Sequence, residues 1–491
     1  MPIRSPRRGL ALLAPLFALA LASFGSAEVP SPTIEGPITG PGNPFLQSTS
    51  FDLGQVGYMQ EEYFISGTAT AYANTAPLGT DGLWSVTPGA TAPYKTRLVV
   101  YRPTDAKKFN GTVVVEWLNV SAGLDAAPDW TLAHTELIRD GFAWVGVSAQ
   151  IVGVEGGTPL VPVVSLPLKT ANPARYGSLS HPGDSFSYEM FSQTAEAIRH
   201  PSGPNPLGGL RVKTVMATGD SQSAFRLVTY VDAIHPIAHV YDGYLVHSRS
   251  GVIGAPLSEA PQTAIPVPGA AVIRSDLDVP VLTVETESDL TFLAYFGARQ
   301  SDSKRFRLWE IAGASHADAY SLVTGATDLG NSPDIVGLTV TASPIPGLVT
   351  CGSPINSGPH HFVLNAAFAA LDHWIRRGRA PKPAPRLEVT GPPVAIGRDA
   401  NGNALGGVRT PQVDAPIAAF TGEQSGSSLL CALLGTTTPF DGAMLASLYP
   451  RHKTFVSAYD RSLRRAVRAG WILRPDAKLM EQWAAGAAVG S

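Results

Sequence analysis

A serine that could act as a nucleophile lies where a strand-like apolar run meets an amphipathic helical pattern. Residues 215–217 are apolar, Gly219 follows, and Ser221 stands at the start of the helical pattern. A sharp strand-to-helix turn of this kind exposes a serine hydroxyl and aims helix amides at it. The alternative is an ordinary helix N-cap, with Asp220 or Ser221 as the capping residue.

A histidine able to activate that serine lies further along the chain. A serine hydroxyl is a weak nucleophile at neutral pH and needs a base within hydrogen-bond reach. His316 follows the last strand-like run, in a loop that can bring its ring over the strand ends. Three other histidines rank below His316 as the candidate base. His247 lies where a pocket wall is expected, and His360 and His361 begin a helix. The alternative for His316 is a structural loop histidine.

A carboxylate must orient the imidazole and stabilise the imidazolium that forms during proton transfer. Asp289 lies in the turn after the strand-like run 281–284, and the order serine, acid, histidine is then complete. Glu287 competes with Asp289, since its longer side chain could reach the same point from an earlier position. We expect the acid that is not used to be a loop charge or a turn cap.

Acyl transfer also needs amide donors aimed at the oxygen that becomes negative. The backbone N–H of Gln222, at the positive end of the predicted helix, is one candidate donor. The second is expected in the turn after the run 112–118, from Asn119 or Val120. The alternative is that Asn119 only caps this turn.

Composition and missing motifs exclude several classes of protein. With 44% hydrophobic and 15% charged residues, the chain is expected to fold around a large core. The sequence contains no H-E-x-x-H, no cysteine pairs at zinc spacing and no G-x-x-x-x-G-K-[ST]. Its net charge of −3 disfavours a nucleic-acid partner. We therefore predict no metal, no cofactor and no nucleic-acid partner.

The N-terminus is typical of an export signal. Three arginines precede an apolar stretch at 10–24, and Gly25, Ser26 and Ala27 resemble a cleavage site. Removal of residues 1–27 takes the net charge from −3 to about −6. A transmembrane anchor is the alternative, but the apolar run is short for a span. We predict a periplasmic or extracellular protein with no stable membrane anchor, in which Cys351 and Cys431 form a disulfide rather than two buried thiols.

Strand-like and helical patterns alternate through most of the chain, which predicts an α/β fold with a mostly parallel central sheet flanked by helices. We divide it into a signal peptide (1–27), an N-terminal β-rich extension packed on the core (28–94), a core (95–380) and a C-terminal extension that is Pro/Gly-rich and then helical (381–491). Within the core, the loop insertions 151–184 and 248–277 should form lid or pocket walls. One predicted strand covers 238–246.

Several motifs resemble those of the bacterial alpha/beta hydrolase domain family, within the α/β-hydrolase superfamily. They are FDL at 51–53, VGY at 56–58, SGTA at 66–69, VEWLNV at 115–120, RYGSL at 175–179, GDSQS at 219–223 and AGASHAD at 312–318. The resemblance implies an α/β-hydrolase fold and a carboxylic ester hydrolase with Ser221 as nucleophile and His316 as base. It also implies that Ser223 is normal in the third position of the G-x-S-x-S motif.

These patterns together predict an exported serine hydrolase that cleaves small-molecule carboxylic esters, or lactones, through an acyl-enzyme on Ser221. The same residues could serve an amidase, a thioesterase or an acyltransferase. A catalytically silent relative that binds a partner is a further hypothesis, because fold alone does not guarantee chemistry. The natural substrate and the oligomeric state stay open at this point.

Overall fold

The computed structural model describes residues 1–2, 28–161, 165–423 and 428–490. Most of the predicted signal peptide therefore lies outside the described residues. Among those that are described, no helix has the length and apolar character needed to cross a membrane.

A large sheet, nine-stranded within the described ranges, forms the centre of the molecule. Its strands are β1 (Thr33–Glu35), β2 (Tyr58–Asn74), β3 (Val86–Pro103), β4 (Thr112–Trp117), β5 (Ala143–Val147), β6 (Thr214–Asp220), β7 (Gly243–His247), β8 (Val281–Thr286) and β9 (Phe306–Ile311). They lie in the order β1-β2-β3-β5-β4-β6-β7-β8-β9. The strands from β5 to β9 in this order run parallel, whereas β1, β2 and β3 pair antiparallel. The predicted mostly parallel sheet is confirmed.

The inner strands are buried on both faces, as their continuous apolar runs require. In β4, Val113 and Val115 face one hydrophobic core, and Val114 faces a second core on the opposite side of the sheet. This alternation follows from the two-residue period of a strand. The residues at the ends of the parallel strands are thereby fixed at one edge of a rigid sheet.

Helices cover both faces of the sheet. The longer ones are α1 (Pro128–Arg139), α2 (Ser187–Arg199), α3 (Gln222–Thr229), α4 (His360–Arg377), α5 (His452–Ala469) and α6 (Arg474–Gly486). Short α-helices are Ile151–Val154, Leu168–Ala171, Pro173–Tyr176, His235–Ala238, Glu287–Thr291, Pro411–Asp414, Leu429–Leu433 and Gly442–Leu448. A π-helical turn, Tyr230–Ile234, joins α3 to the short helix His235–Ala238. Aromatic and aliphatic side chains of α5 and α6 form a separate core.

The N-terminal strands belong to the same sheet as the core. Strand β3 runs through the boundary that we placed between residues 94 and 95, and it pairs with both β2 and β5. The strand expected at 238–246 starts later, at Gly243, because Pro236 opens one more helical turn that ends at Ala238. The apolar residues between the two elements hid this change from the sequence pattern.

Candidate active site

Ser221 occupies a strained turn between β6 and α3. Its backbone has φ 57° and ψ −122°, a conformation that a residue with a side chain rarely adopts and that costs about 1–3 kcal/mol. The Ser221 N–H donates to the carbonyl of His247 at 3.0 Å, and the Ser221 carbonyl accepts from the N–H of Phe225 at 3.1 Å. This turn lies at the carboxyl end of β6, where the sequence analysis places the candidate nucleophile elbow.

Gly219 allows the close approach of helix and strand that this turn needs. A Cβ on Gly219 would lie only 3.0 Å from the carbonyl carbon and oxygen of Ser223 and 3.2 Å from its Cβ. Ser223 itself is fully buried. A serine is therefore small enough for the position at which many elbows carry a second glycine.

The structure brings Ser221, His316 and Asp289 together in one hydrogen-bonded line. His316 Nε2 lies 2.9 Å from Ser221 Oγ, and His316 Nδ1 lies 2.7 Å from Asp289 Oδ1. The loop after β9 carries the histidine, and its backbone N–H donates to Ser288 Oγ at 2.7 Å. Each imidazole nitrogen consequently faces one partner, with the hydroxyl on one side and the carboxylate on the other.

The local fold of Asp289 directs one of its oxygens to the imidazole. Asp289 Oδ2 accepts from the N–H and the hydroxyl of Thr286, at 2.6 and 2.7 Å, which leaves Oδ1 for His316. Burial raises the pKa of Asp289, but His316 and the Thr286 donors more than offset this and hold the pKa below its ordinary value. Burial lowers the pKa of His316, and Asp289 more than offsets it, so that the His316 pKa is raised.

Glu287 points away from the imidazole. Its carboxylate accepts from the N–H groups of Gly313 and Gly422, at 2.6 and 3.0 Å, and from Arg398 Nη2 at 3.0 Å. The two glycines belong to the His316 loop and to the C-terminal segment. Glu287 therefore fastens these segments to each other, and the geometry favours Asp289 over Glu287 as the orienting acid.

The C-terminal segment also supports the histidine loop from its other side. Ala317 N–H donates to the carbonyl of Leu433 at 3.1 Å, and Ser315 Oγ donates to the carbonyl of Leu434 at 3.2 Å. Cys351 and Cys431 form a disulfide in the same region. Residues far along the chain from the site thus fix the position of His316.

The candidate oxyanion donors differ in their availability. The N–H of Asn119 donates to the carbonyl of Ala126 at 2.9 Å, and its side-chain amide donates to the carbonyl of Asp220 at 3.1 Å. The backbone N–H of Asn119 is therefore already used, and one side-chain N–H of Asn119 holds the elbow in place. Gln222 is the first residue of α3, whose N–H has no partner within the helix. Val120 and Gln222 remain as the candidate donors.

A cavity of about 430 Å³ adjoins the elbow, lined by both Val120 and Gln222. The two predicted loop insertions supply much of its wall, including the apolar side chains of Val152, Pro159, Leu160, Ile253 and Pro256. Its polar part holds Arg226, whose Nη2 lies 3.0 Å from Asp184 and 2.6 Å from Glu259. A mostly apolar group next to a compensated charge cluster is what this cavity can accommodate.

A second histidine–aspartate pair lies beneath the elbow, which the sequence analysis did not anticipate. His247 Nδ1 lies 2.8 Å from Asp129 and 3.2 Å from Asp220, and His247 Nε2 lies 2.7 Å from His360 Nε2. Burial lowers the pKa of His247, but Asp220 and Asp129 outweigh it and raise this pKa to about 9. Burial raises the pKa of Asp220 to about 7. The sequence offered no signal for this pair, because Asp129 lies more than 100 residues before His247 along the chain.

Fold and site together define an α/β hydrolase: a parallel sheet, a serine at a strand-to-helix elbow, and an acid and a histidine from later strands. The chain belongs to the alpha/beta hydrolase domain family, whose model matches residues 29–482. No match was found among curated protein sequences.

A search of solved structures matches several esterases. A fungal esterase from Rhizomucor miehei is 11% identical, with 64% of this chain and 86% of that chain covered and a TM-score of 0.29. A carboxylesterase from Lactobacillus plantarum is 11% identical, with 47% and 78% covered and a TM-score of 0.27. A glucuronoyl esterase from Solibacter usitatus is 9% identical, with 52% and 76% covered and a TM-score of 0.26.

Proposed function

We propose that this protein hydrolyses carboxylic esters, lactones included, through an acyl-enzyme on Ser221. The observation that carries the proposal is the hydrogen-bonded line from Ser221 Oγ through His316 to Asp289, with 2.9 and 2.7 Å separations. Such a line supplies a base to the hydroxyl and a carboxylate to the imidazolium that forms. The family membership of the chain supports the same reaction class.

In the first half of the reaction, His316 Nε2 removes the proton of Ser221 as Oγ attacks the ester carbonyl carbon. The carbonyl oxygen becomes negative and accepts hydrogen bonds from the N–H groups of Val120 and Gln222. The protonated His316 then gives its proton to the leaving alkoxide, so that an alcohol departs and an acyl group stays on Oγ. In the second half, His316 deprotonates a water molecule as its oxygen attacks the acyl carbon. The bond from that carbon to Oγ then breaks, and His316 returns the proton to Oγ, which releases the acid and restores Ser221.

The cavity beside the elbow supports a substrate with a mostly apolar acyl or alcohol group, since Val152, Leu160 and Ile253 contribute to its wall. We propose that the reaction takes place in the periplasm or outside the cell. This location rests on the signal-like residues 1–27. N-terminal sequencing of the protein from the culture fluid or periplasm tests it, with Glu28 expected as the first residue.

The reaction is tested with p-nitrophenyl esters of graded chain length and with matched amide and thioester substrates. We expect ester hydrolysis that is abolished in Ser221→Ala, together with labelling of Ser221 by one fluorophosphonate molecule. Ser223→Ala, two residues further along the same elbow, is the control and should keep both properties. Faster turnover of the amides or thioesters would replace the esterase proposal, and an unlabelled, inactive wild-type protein would contradict a serine hydrolase altogether.

A further inference from the structure

Three potential metal ligands meet on the surface at the far end of the elbow helix. His235 opens the short helix His235–Ala238, which continues α3 through the π-helical turn, and His239 directly follows it. Asp278 lies in the segment that leads into β8. One ligand atom from each of these residues lies within 4.8 Å of the others.

The spacing of these atoms suits a small divalent ion. Asp278 Oδ1 lies 2.9 Å from His235 Nε2, and Asp278 Oδ2 lies 3.5 Å from His239 Nδ1. The two distances involve different oxygens of the Asp278 carboxylate, and they bracket the separation of about 3.3 Å expected between tetrahedral zinc ligands. His235 and His239 are four residues apart, and their ring centroids lie 5.2 Å from each other.

The surroundings orient the ligands and leave one side open. His235 Nδ1 is hydrogen-bonded to the hydroxyl of Tyr244 at 2.9 Å, a contact that fixes the ring and turns Nε2 toward Asp278. The side chain of His235 is only 2% exposed, whereas those of His239 and Asp278 are 46% and 64% exposed. An ion can enter from solvent, and a water molecule can take the fourth position.

The backbone at His239 is held in an unusual conformation. His239 has φ 51° and ψ 32°, the left-handed region in which glycine is normally found. A non-glycine residue stays there only when its surroundings determine it. Here this conformation ends the helix and places the His239 ring within reach of the Asp278 carboxylate.

We infer that His235, His239 and Asp278 bind a divalent transition-metal ion, Zn²⁺ in the first place, with water as the fourth ligand. The site is structural rather than catalytic. It links the short helix that continues α3 to the segment entering β8, the strand after which Asp289 follows. The two connected elements position the candidate active site. Because the ion binds the folded protein and not the unfolded chain, it stabilises this connection.

The experiment uses untagged protein stripped with EDTA, titrated with ZnCl₂ at neutral pH by isothermal calorimetry and followed by thermal unfolding. We expect one Zn²⁺ per chain and a higher unfolding temperature with Zn²⁺ than with EDTA. His239→Ala and Asp278→Asn should each weaken the binding at least about tenfold and remove the stabilisation. Both residues are well exposed, so these variants should fold.

The matched control is His200→Ala. His200 is an exposed histidine with a single carboxylate neighbour, Glu196, at 2.8 Å, and it should not contribute to a three-ligand site. Zn²⁺ binding by this variant should equal that of the wild type. Binding that is absent in the wild type, or that is as strong in His239→Ala and Asp278→Asn as in the control, would overturn the inference. The outcome is independent of ester hydrolysis.

Discussion

Two histidine–aspartate pairs lie close together at the sheet edge. In each pair one imidazole nitrogen contacts the aspartate, and the pairs differ in the group that the other nitrogen contacts. His316 pairs with Asp289 and presents Nε2 to the Ser221 hydroxyl. His247 pairs with Asp129 and presents Nε2 to His360. His247 is completely buried, while His316 retains 6% exposure.

The comparison shows that a histidine and a carboxylate do not by themselves make a catalytic base. The raised pKa of His247, about 9, keeps its ring protonated at neutral pH, so it donates from both nitrogens and has no lone pair for a hydroxyl. His316 has one nitrogen directed at a nucleophile. The same residue types therefore give a buried structural cation in one pair and a candidate proton acceptor in the other.

Removal of the His316 imidazole should have the largest effect on catalysis. We expect His316→Ala to lower kcat for ester hydrolysis by about 10⁶-fold, because the hydroxyl loses its base. The free energy of unfolding should also fall, because the buried Asp289 carboxylate loses its partner. Steady-state kinetics and urea unfolding measure the two quantities. A loss of less than tenfold in kcat would show that His316 is not the base.

The two candidate acids offer the next largest contrast. Asp289→Asn should lower kcat by about 10⁴-fold, because the imidazole loses the carboxylate that orients it and stabilises its charged form. Glu287→Gln should reduce stability, through the weakened contact with Arg398, and leave kcat within a few-fold of the wild type. If the two variants exchanged these effects in the same assays, the assignment of the acid would be reversed.

The sheet and the candidate nucleophile were predictable because their signals are local. Apolar runs mark the inner strands, and the glycine-to-serine spacing at 219–221 marks the elbow. The choice between Asp289 and Glu287 was not local, because it depends on Gly422 and Arg398, which lie more than 100 residues further along the chain. The distant hydrogen-bond partners distinguish the two acids, which are both buried.

The same limit explains why the second pair escaped prediction. Asp129 lies at the start of α1 and His360 at the start of α4, and nothing in their sequence neighbourhoods indicates that both face His247. Asn119 shows a related effect. Its position after β4 predicts an oxyanion loop, but only the three-dimensional contacts show that its backbone N–H is bonded to Ala126 and its side chain to Asp220.

Loss of the buried His247 imidazole should reduce stability much more than it reduces catalysis. We expect His247→Gln to lower the free energy of unfolding by about 3 kcal/mol at neutral pH, because Asp129 and Asp220 lose their buried cation. Its kcat should stay within about tenfold of the wild type, far above that of His316→Ala. Urea unfolding and ester kinetics on the same samples measure both. A variant as inactive as His316→Ala but fully stable would remove the distinction between the two pairs.

Asp220 lies between the two pairs and provides the finest test of their coupling. Ester hydrolysis requires neutral His316, so kcat/KM rises with pH as His316 loses its proton. The midpoint of this rise should lie above 6.5, the ordinary pKa of histidine. Burial lowers the His316 pKa, and the Asp289 carboxylate raises it by more than this. The negative charge of Asp220 raises the His316 pKa further, and the positive charge of His247 lowers it.

Removal of the Asp220 charge and removal of the His247 charge should shift the midpoint of the rise in kcat/KM in opposite directions. Asp220→Asn should move the midpoint to lower pH, because a negative charge near His316 is lost. His247→Gln should move it to higher pH, because a positive charge is lost. The pH dependence of kcat/KM, measured on an ester whose hydrolysis is limited by acylation, gives both midpoints. Shifts in the same direction would mean that structural disturbance of the elbow, rather than charge, connects the two pairs.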